Sequence, residues 1–386
     1  MTAESYSVLL IGYNYPPGGG VGSIRIAKFA KYLPSDWEIH VLTTNKNAGT
    51  QTNAKVDDGD DVTIHRINEL WPNAPKDFDK LRWVPPIVRN VYQLHQRHEF
   101  DAIWHTSGPF LPLTAAPILK RILDVIYIAD LRDSWTLHPY KSERTLSGQV
   151  YDGVSEIAEP RVLRSVDAVT TATEGITNAY CKKYPSIQDK FHTIVNGYDP
   201  SDFPQMNIEP TENFTVVYVG KFSTFRDPKP FLRSLADLQD EHEIDFVHIG
   251  TPEQVVQSTV SKLGLEKRFE CTGYVDRSEV SRQIHRADVG LAVAGDSPQE
   301  MTTKIFDYIA CRTPILACGP TDGSMANVVQ KFEHGYAVPN RQEPIILQME
   351  RMADEDSLEL GSGPYDQYTR VYVAQELKML IRSLCQ

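Results

Sequence analysis

Positive charge is in short supply. Lys and Arg number 39 against 51 Asp and Glu, a formal net charge of −12 over 386 residues. A broad nucleic-acid surface needs a basic face, so that class of function is excluded. A local cluster of cations around a small anionic ligand is not. Cysteine is scarce too: five residues, scattered, with no Cys-x-x-Cys pair. That points to reduced structural thiols rather than a disulfide frame or a zinc site. No His/Asp cluster stands at ligand spacing, so no metal site is expected. No run approaches the roughly 18 uncharged apolar residues of a membrane span, and the N-terminus shows no signal-peptide pattern. The expectation is a protein that works in the cytoplasm, with no nucleic-acid partner.

What the chain has in quantity is strand-like apolar runs alternating with helix-length stretches. SVLLI, WEIHVLT, VTIHRI, DAIWHT, VIYIAD, DAVTTAT and FHTIVN fill the first half; FTVVYVG, DFVHIG, RFECTGYV, DVGLAVA and TPILAC follow. Continuous apolar runs suit strands covered on both faces. Their alternation with helices implies parallel sheets with right-handed crossovers. So many strands exceed one comfortable open sheet, and the expected fold class is α/β with two doubly wound, Rossmann-like domains facing a central cleft. The Pro-, Asn- and Asp-rich stretch 196–214 marks the break, giving domains over 1–205 and 211–364. A terminal helix is expected over 365–386.

In open parallel sheets ligands sit beyond the carboxyl ends of the strands, so the residues after each strand carry the functional reading. After SVLLI comes GYNYPPGGGVGSIRIAKFAKYL (12–33), a strand breaking into a glycine loop that restarts as a helix. Bare backbone at a helix start suits an anion. Gly18, Gly20 and Ser23 approximate a dinucleotide fingerprint, but the second strand ends in Thr43 and Thr44 instead of an acid, which disfavours a nicotinamide. A tight ligand-free turn is the bland alternative. Arg25, in the first helical turn, would add charge to a bound phosphate. His105 closes another strand, where a lone His is more often structural than catalytic. Asp130, Arg132, Asp133 and Trp135 follow a further strand, either as an internal Arg–Asp pair fixing a turn or as a carboxylate and a ring lining a sugar site.

The second half says more. VYVGKFSTFRDPKPFL delivers Lys221, Arg226 and Lys229 in one loop, either as solvated surface charge or as three cations that neutralise a diphosphate without a metal. In QEMTTKIFDYIACRTPILA a helix from about residue 301 presents the free N–H groups of Met301, Thr302 and Thr303, with Lys304 alongside. Asp307, one to two turns on, is placed to reach a ribose.

Taken together, these residues resemble the GT-B fold glycosyltransferases, and within them the retaining family-4 enzymes, over nearly the whole chain. YPPGGGVGSIRIAKFAKYL is similar to the family's opening glycine loop. IVNGYDPSDF is similar to its Asn-Gly-x-Asp signature, and TTKIFDYIACRTPILA to the Lys-Ile/Leu-Phe-Glu-Tyr-hydrophobic-Ala segment of one branch. The resemblance implies a nucleotide-diphosphate sugar, such as a UDP- or GDP-sugar, held by the second domain, and an acceptor held by the first, with the terminal helix returning to the first domain. It implies no cofactor. Of the family's two glutamates separated by seven residues, the second falls on Asp307 and the first on Gln299, with Glu300 beside it. The phosphate-binding amides fall on Met301, Thr302 and Thr303, and the base against Tyr274 and Val275. Lys221 takes the first position of the family's cation pair; Arg226 and Lys229 compete for the second. Gly19, Gly20 and Gly22 would face the donor diphosphate or an acceptor phosphate.

The implied reaction is a metal-independent front-face displacement with retention. Lys221, Arg226 and the start of the helix at 301–303 stabilise the leaving group, with Lys229 in reserve, and His105 and Asp133 stand on the sugar and acceptor side. The implied acceptor is a glycan or lipid-linked carrier in polysaccharide or surface-glycan assembly. The segment KDFDKLRWVPPIVRNVYQLHQRH (76–98) suits either a membrane surface, making the protein peripheral at the inner face, or packing on the first domain. A sugar-nucleotide epimerase and a non-catalytic glycan-assembly subunit are the competing readings.

Overall fold

The structure is a computed structural model. It describes residues 5–45, 59, 61–70, 79–138, 146–204, 206, 208, 209, 211–239, 241–251, 253–355 and 358–386. The chain divides into two units, residues 1–195 with 370–386, and residues 196–369.

Unit 1 is built on a seven-stranded parallel sheet of β1 (Ser7–Ile11), β2 (Glu38–Thr44), β3 (Val62–Ile67), β4 (Ala102–Thr106), β5 (Ile126–Leu131), β6 (Ala168–Thr171) and β7 (Phe191–Thr193). Its order is β3-β2-β1-β4-β5-β6-β7, the doubly wound arrangement in which direction reverses between β1 and β4. Its helices are α1 (Val21–Tyr32), α2 (Val84–His98), α3 (Ala116–Ile122), α4 (Leu146–Ser165) and α5 (Glu174–Lys183). The apolar runs are continuous because both faces are covered. Along β1, Leu9 and Ile11 enter one core beneath α2 and α3, while Val8 and Leu10 enter the other beneath α1, as the two-residue period of a strand requires.

Segment 84–98 spends its apolar stripe in the core: Val84, Ile87, Val91 and Leu94 are all buried. This is the packing reading of that helix; residues 76–78 lie outside the described residues. No helix among the described residues is long and apolar enough to cross a membrane.

Unit 2 repeats the plan with β8 (Phe214–Val219), β9 (Ile244–Ile249), β10 (Phe269–Gly273), β11 (Val289–Val293), β12 (Ile315–Cys318) and β13 (Gly335–Val338), in the order β10-β9-β8-β11-β12-β13. Its helices are α6 (Lys229–Leu238), α7 (Gln254–Leu263), α8 (Arg277–Arg286), α9 (Lys304–Cys311), α10 (Ser324–Val329) and α11 (Gln342–Ala353). The edge strand β13 has no counterpart among the apolar runs named above. The last helix, α12 (Arg370–Cys385), belongs to unit 1, where Val373, Ala374, Leu377 and Ile381 complete the core beside α1.

Candidate active site

The reversal point of the second sheet lies between β8 and β11. Their ladder pairs only Val289 with Val216 and Gly290 with Val217, and then opens. Tyr308 of α9 fills the gap. Its hydroxyl accepts from Val219 N at 3.2 Å and donates to Leu291 O at 2.9 Å. Burial holds that hydroxyl protonated, so it stays a donor. Its ring lies on Gly290, where an added Cβ would stand 2.5 Å from the ring. A glycine in the strand thus lets α9 settle over the opened crevice.

Around that crevice the strand-end residues converge. Asp307, 7% exposed, receives Arg277 Nη2 at 2.9 Å and lies 3.6 Å from Lys304 Nζ. The aliphatic end of Lys304 runs past Gly220, whose φ of +119° follows β8. In the same loop the Lys221 carbonyl accepts from Tyr218 Oη at 2.9 Å, and the Tyr218 ring stacks on Phe222 with centroids 3.8 Å apart. That stack buries Phe222 and leaves Lys221 exposed. Arg226 Nε donates to Glu300 Oε1 at 3.0 Å, and Glu300 Oε2 accepts from Gly295 N at 2.9 Å. Glu300 therefore ties the loop after β8 to the loop after β11, and it aims an arginine whose terminal nitrogens carry no partner among the described residues. Gln299, at the position of the family's first glutamate, donates its backbone N–H to Ser297 Oγ at 3.3 Å. Lys229 opens α6 as an exposed residue, and Tyr274 after β10 is 71% exposed with Val275 beside it. Helix α9 begins at Lys304 with Thr303 as its cap, later than the expected start at 301. Met301 and Thr302 thus precede the helix, and the Thr302 hydroxyl accepts from Lys304 N at 3.4 Å, at the start of its first turn.

Unit 1 corrects several expectations. Arg25 is not at a ligand's disposal: fully buried, it donates to both carboxylate oxygens of Asp130, at 3.1 and 2.9 Å, and to the carbonyls of Ile194 and Val195. Asp130 also accepts from Thr106 and Thr170, each at 2.7 Å, so it lines no sugar site. His105 does not close its strand into an open space. It lies on the same face of β4 as the core residue Ile103, fully buried, with Nδ1 2.7 Å from Tyr127 Oη. Desolvation pushes its pKa down to about 3. Trp135 is buried and stacks on Phe110, centroids 5.6 Å apart. Asp133 remains exposed, 3.3 Å from Arg132 Nε.

The cation at the glycine loop is Arg132. An added Cβ on Gly22 would stand 2.0 Å from its Nη1, and one on Gly108 would stand 2.4 Å from its Nη2. Gly20 caps α1 at φ +105°, with Gly19 before it and no side chain satisfying the first amides. Ser23 Oγ donates back to the Gly18 carbonyl at 2.5 Å, which fixes the loop.

Two family models match in tandem, Glycosyltransferase Family 4 over residues 18–202 and Glycosyl transferases group 1 over 201–359. The chain belongs to the GT-B, family-4-like glycosyltransferases. Among curated relatives, 2-deoxystreptamine glucosyltransferase of Streptomyces kanamyceticus is 22% identical over 289 residues, covering 71% of this chain and 73% of that protein. Sucrose-phosphate synthase from Thermosynechococcus elongatus has the same fold at TM-score 0.72 and 16% identity, covering 98% of this chain and 99% of that one. Anabaena HepE, solved in complex with UDP and glucose, gives a TM-score of 0.70 at 15% identity, covering 98% of this chain and 100% of its own.

In this glycosyltransferase, Arg277 is the residue of the candidate site that the strand-end reading missed, bonded to Asp307 from 30 positions earlier in the chain. Its signal was the capping box DRSE, where Asp276 Oδ1 accepts from Glu279 N at 2.9 Å and so places Arg277 first in α8, just past β10. An open groove of about 1060 Å³, lined by Asn213, Asp245, Arg268 and Arg286 among others, lies at the amino-terminal side of the second sheet, the wrong edge for a donor. None of the five cysteines is in a disulfide, and burial pushes the Cys318 thiol up to about 12. One group of potential ligands does not show in the sequence spacing. Glu38, His40 and His98 bring three ligand atoms within 4.8 Å of one another. Only the fold joins His98 to the other two.

Proposed function

We propose that this glycosyltransferase moves a sugar, with retention, from a nucleotide-diphosphate sugar to a glycan or lipid-linked acceptor in polysaccharide or surface-glycan assembly. The observation that carries this reading is the cluster at the reversal point of the second sheet. There Arg226 is tied to Glu300 just before α9, Lys304 opens the helix beside Asp307, and Lys221 stands exposed in the loop after β8. The N–H groups at the start of α9 and the three cations hold the diphosphate and stabilise it as it departs, without a metal. Asp307 keeps lone pairs beyond those used by Arg277 and Lys304, and these accept the ribose hydroxyls. Tyr274 and Val275 lie against the base. In unit 1 the glycine loop and Arg132 form a second anion-holding surface, suited to the phosphate of a lipid-linked acceptor.

In the proposed step the bond from the anomeric carbon to the diphosphate oxygen breaks as the acceptor oxygen bonds on the same face. The acceptor's proton passes to the departing diphosphate. The chain's own share is orientation and charge stabilisation. The reading is tested by incubating the protein with UDP-, GDP-, ADP- and dTDP-sugars, with and without a glycan acceptor, and following anomeric protons by NMR. An acceptor-dependent product with the donor's anomeric configuration is expected. Altered free sugar formed without acceptor would instead mark an epimerase, and no turnover of any donor a binding subunit.

A further inference from the structure

We propose that Glu38, His40 and His98 bind a divalent transition-metal ion of the Zn2+ kind, clamping the end of α2 to β2 on the edge of the first sheet opposite the glycine loop. Glu38 and His40 are two residues apart in β2 and so share a face. It is the face that α2 covers, with Leu42 of β2 and Ile87, Val91 and Leu94 of α2 in one core. His98 is the last residue of that helix, which Glu99 ends in a left-handed conformation at φ 45°. The packing therefore lowers one imidazole from the helix end onto an imidazole and a carboxylate of the strand.

The three groups converge on one point. His40 Nε2 lies 2.7 Å and His98 Nδ1 3.0 Å from the same oxygen, Glu38 Oε1. Ligand atoms around a tetrahedral Zn2+ at about 2.0–2.2 Å stand about 3.3–3.5 Å apart, so an ion enters by a carboxylate displacement of less than about 1 Å. The exposures suit that: the His40 side chain is sealed at 1% while Glu38, on the solvent side of the cluster, is 54% exposed.

His40 also has the outer partner that metal-bound histidines generally have. Its Nδ1 lies 2.8 Å from His65 Nε2, and the two rings stack within 4° of parallel. With Nδ1 carrying the hydrogen and His65 accepting it, His40 Nε2 presents its lone pair toward Glu38 and His98. Two imidazoles and one carboxylate suit Zn2+ and its neighbours better than the all-oxygen preferences of Mg2+ and Ca2+. The negative end of the α2 dipole favours a cation at that spot.

The experiment needs tag-free protein stripped with a chelator, then Zn2+ titrated by calorimetry, with Co2+ substitution read from its visible absorption. One Zn2+ per chain is expected, with a rise in melting temperature on loading. His98→Ala changes a half-buried residue on the last helical turn, leaves the strand intact, and lowers Zn2+ affinity by at least about 10-fold. Glu38→Gln is the second variant, on an exposed side chain, and does the same. Absence of stoichiometric binding in the wild type, or unchanged affinity in both variants, overturns the proposal.

Discussion

The carboxyl-terminal edges of the two sheets share a strand order and treat charge in opposite ways. In unit 1 the carboxylate at the strand ends, Asp130, is sealed and saturated: Arg25, Thr106 and Thr170 all bond to it, and both ionic partners have zero exposure. In unit 2 the corresponding acids keep company with cations that face outward. Asp307 is held by Arg277 and Lys304, and Glu300 aims Arg226, whose side chain is 35% exposed. An ion pair that fills all its bonds holds a fold together. One that anchors a half-exposed cation leaves that cation available for a ligand. The difference lies in burial and partner count, not in residue type.

Four substitutions and one pH profile break this comparison at graded cost. Arg25→Met should do the most damage, because it strands the buried Asp130 charge; a loss of about 3–5 kcal/mol is expected in urea unfolding. Arg226→Ala should slow turnover about 10²- to 10³-fold while leaving the melting temperature near that of the wild type, and a wild-type transfer rate in this variant would remove Arg226 from the mechanism. The buried His105 predicts an acid sensitivity. Its folded pKa, about 3, lies below the ordinary 6.5, so below pH 6.5 the unfolded chain binds the proton that the folded one refuses. Stability should therefore fall by about 1.4 kcal/mol per pH unit from 6.5 toward 3, and His105→Phe should flatten that slope in unfolding curves taken at pH 5 and 7. Asp307→Asn, the unit 2 counterpart of the first change, should leave the fold standing and weaken nucleoside diphosphate binding about 10-fold, as expected for a lost hydrogen bond to a charged group. Of similar size is Tyr308→Phe, which removes a buried hydroxyl from Val219 and Leu291 and should cost about 1–3 kcal/mol of stability.

Much of the architecture was legible because parallel strands buried on both faces must be apolar without interruption, and SVLLI or FTVVYV cannot be mistaken for solvated segments. The edge strand Gly335–Val338 escaped for the same reason: only Gly335 in it is buried, the rest partly exposed, so no apolar run announces it. Position after a strand was legible; side-chain direction was not. His105 and Asp130 both follow the strand-end rule, and both turn into the core, since a residue near a strand's end still belongs to one of its two faces. Arg25 read as a cation at a helix start, but a single helical turn sufficed to carry it from the loop into the sheet. Helix α9 starts late, after Thr303, at a Thr-Thr pair in which the Thr302 hydroxyl accepts from Lys304 N, so the sequence offers two cap residues where the helix uses one. The capping box DRSE marks where Arg277 starts a helix but not that it meets Asp307, and nothing in the sequence joins His98 to Glu38 and His40, because packing brings those partners together from elements far apart in the chain.

The central claim is that the reversal point of the second sheet holds a nucleoside diphosphate through Lys221, Arg226, Lys304 and Asp307. Calorimetric titration of the wild type and of Arg226→Ala with UDP, GDP, ADP and dTDP, with and without magnesium, tests it most directly. The account predicts that one nucleotide binds the wild type selectively, that magnesium leaves its affinity unchanged, and that the variant binds it more weakly. Absence of binding by all four at millimolar concentration, or equal affinity in wild type and variant, would contradict it.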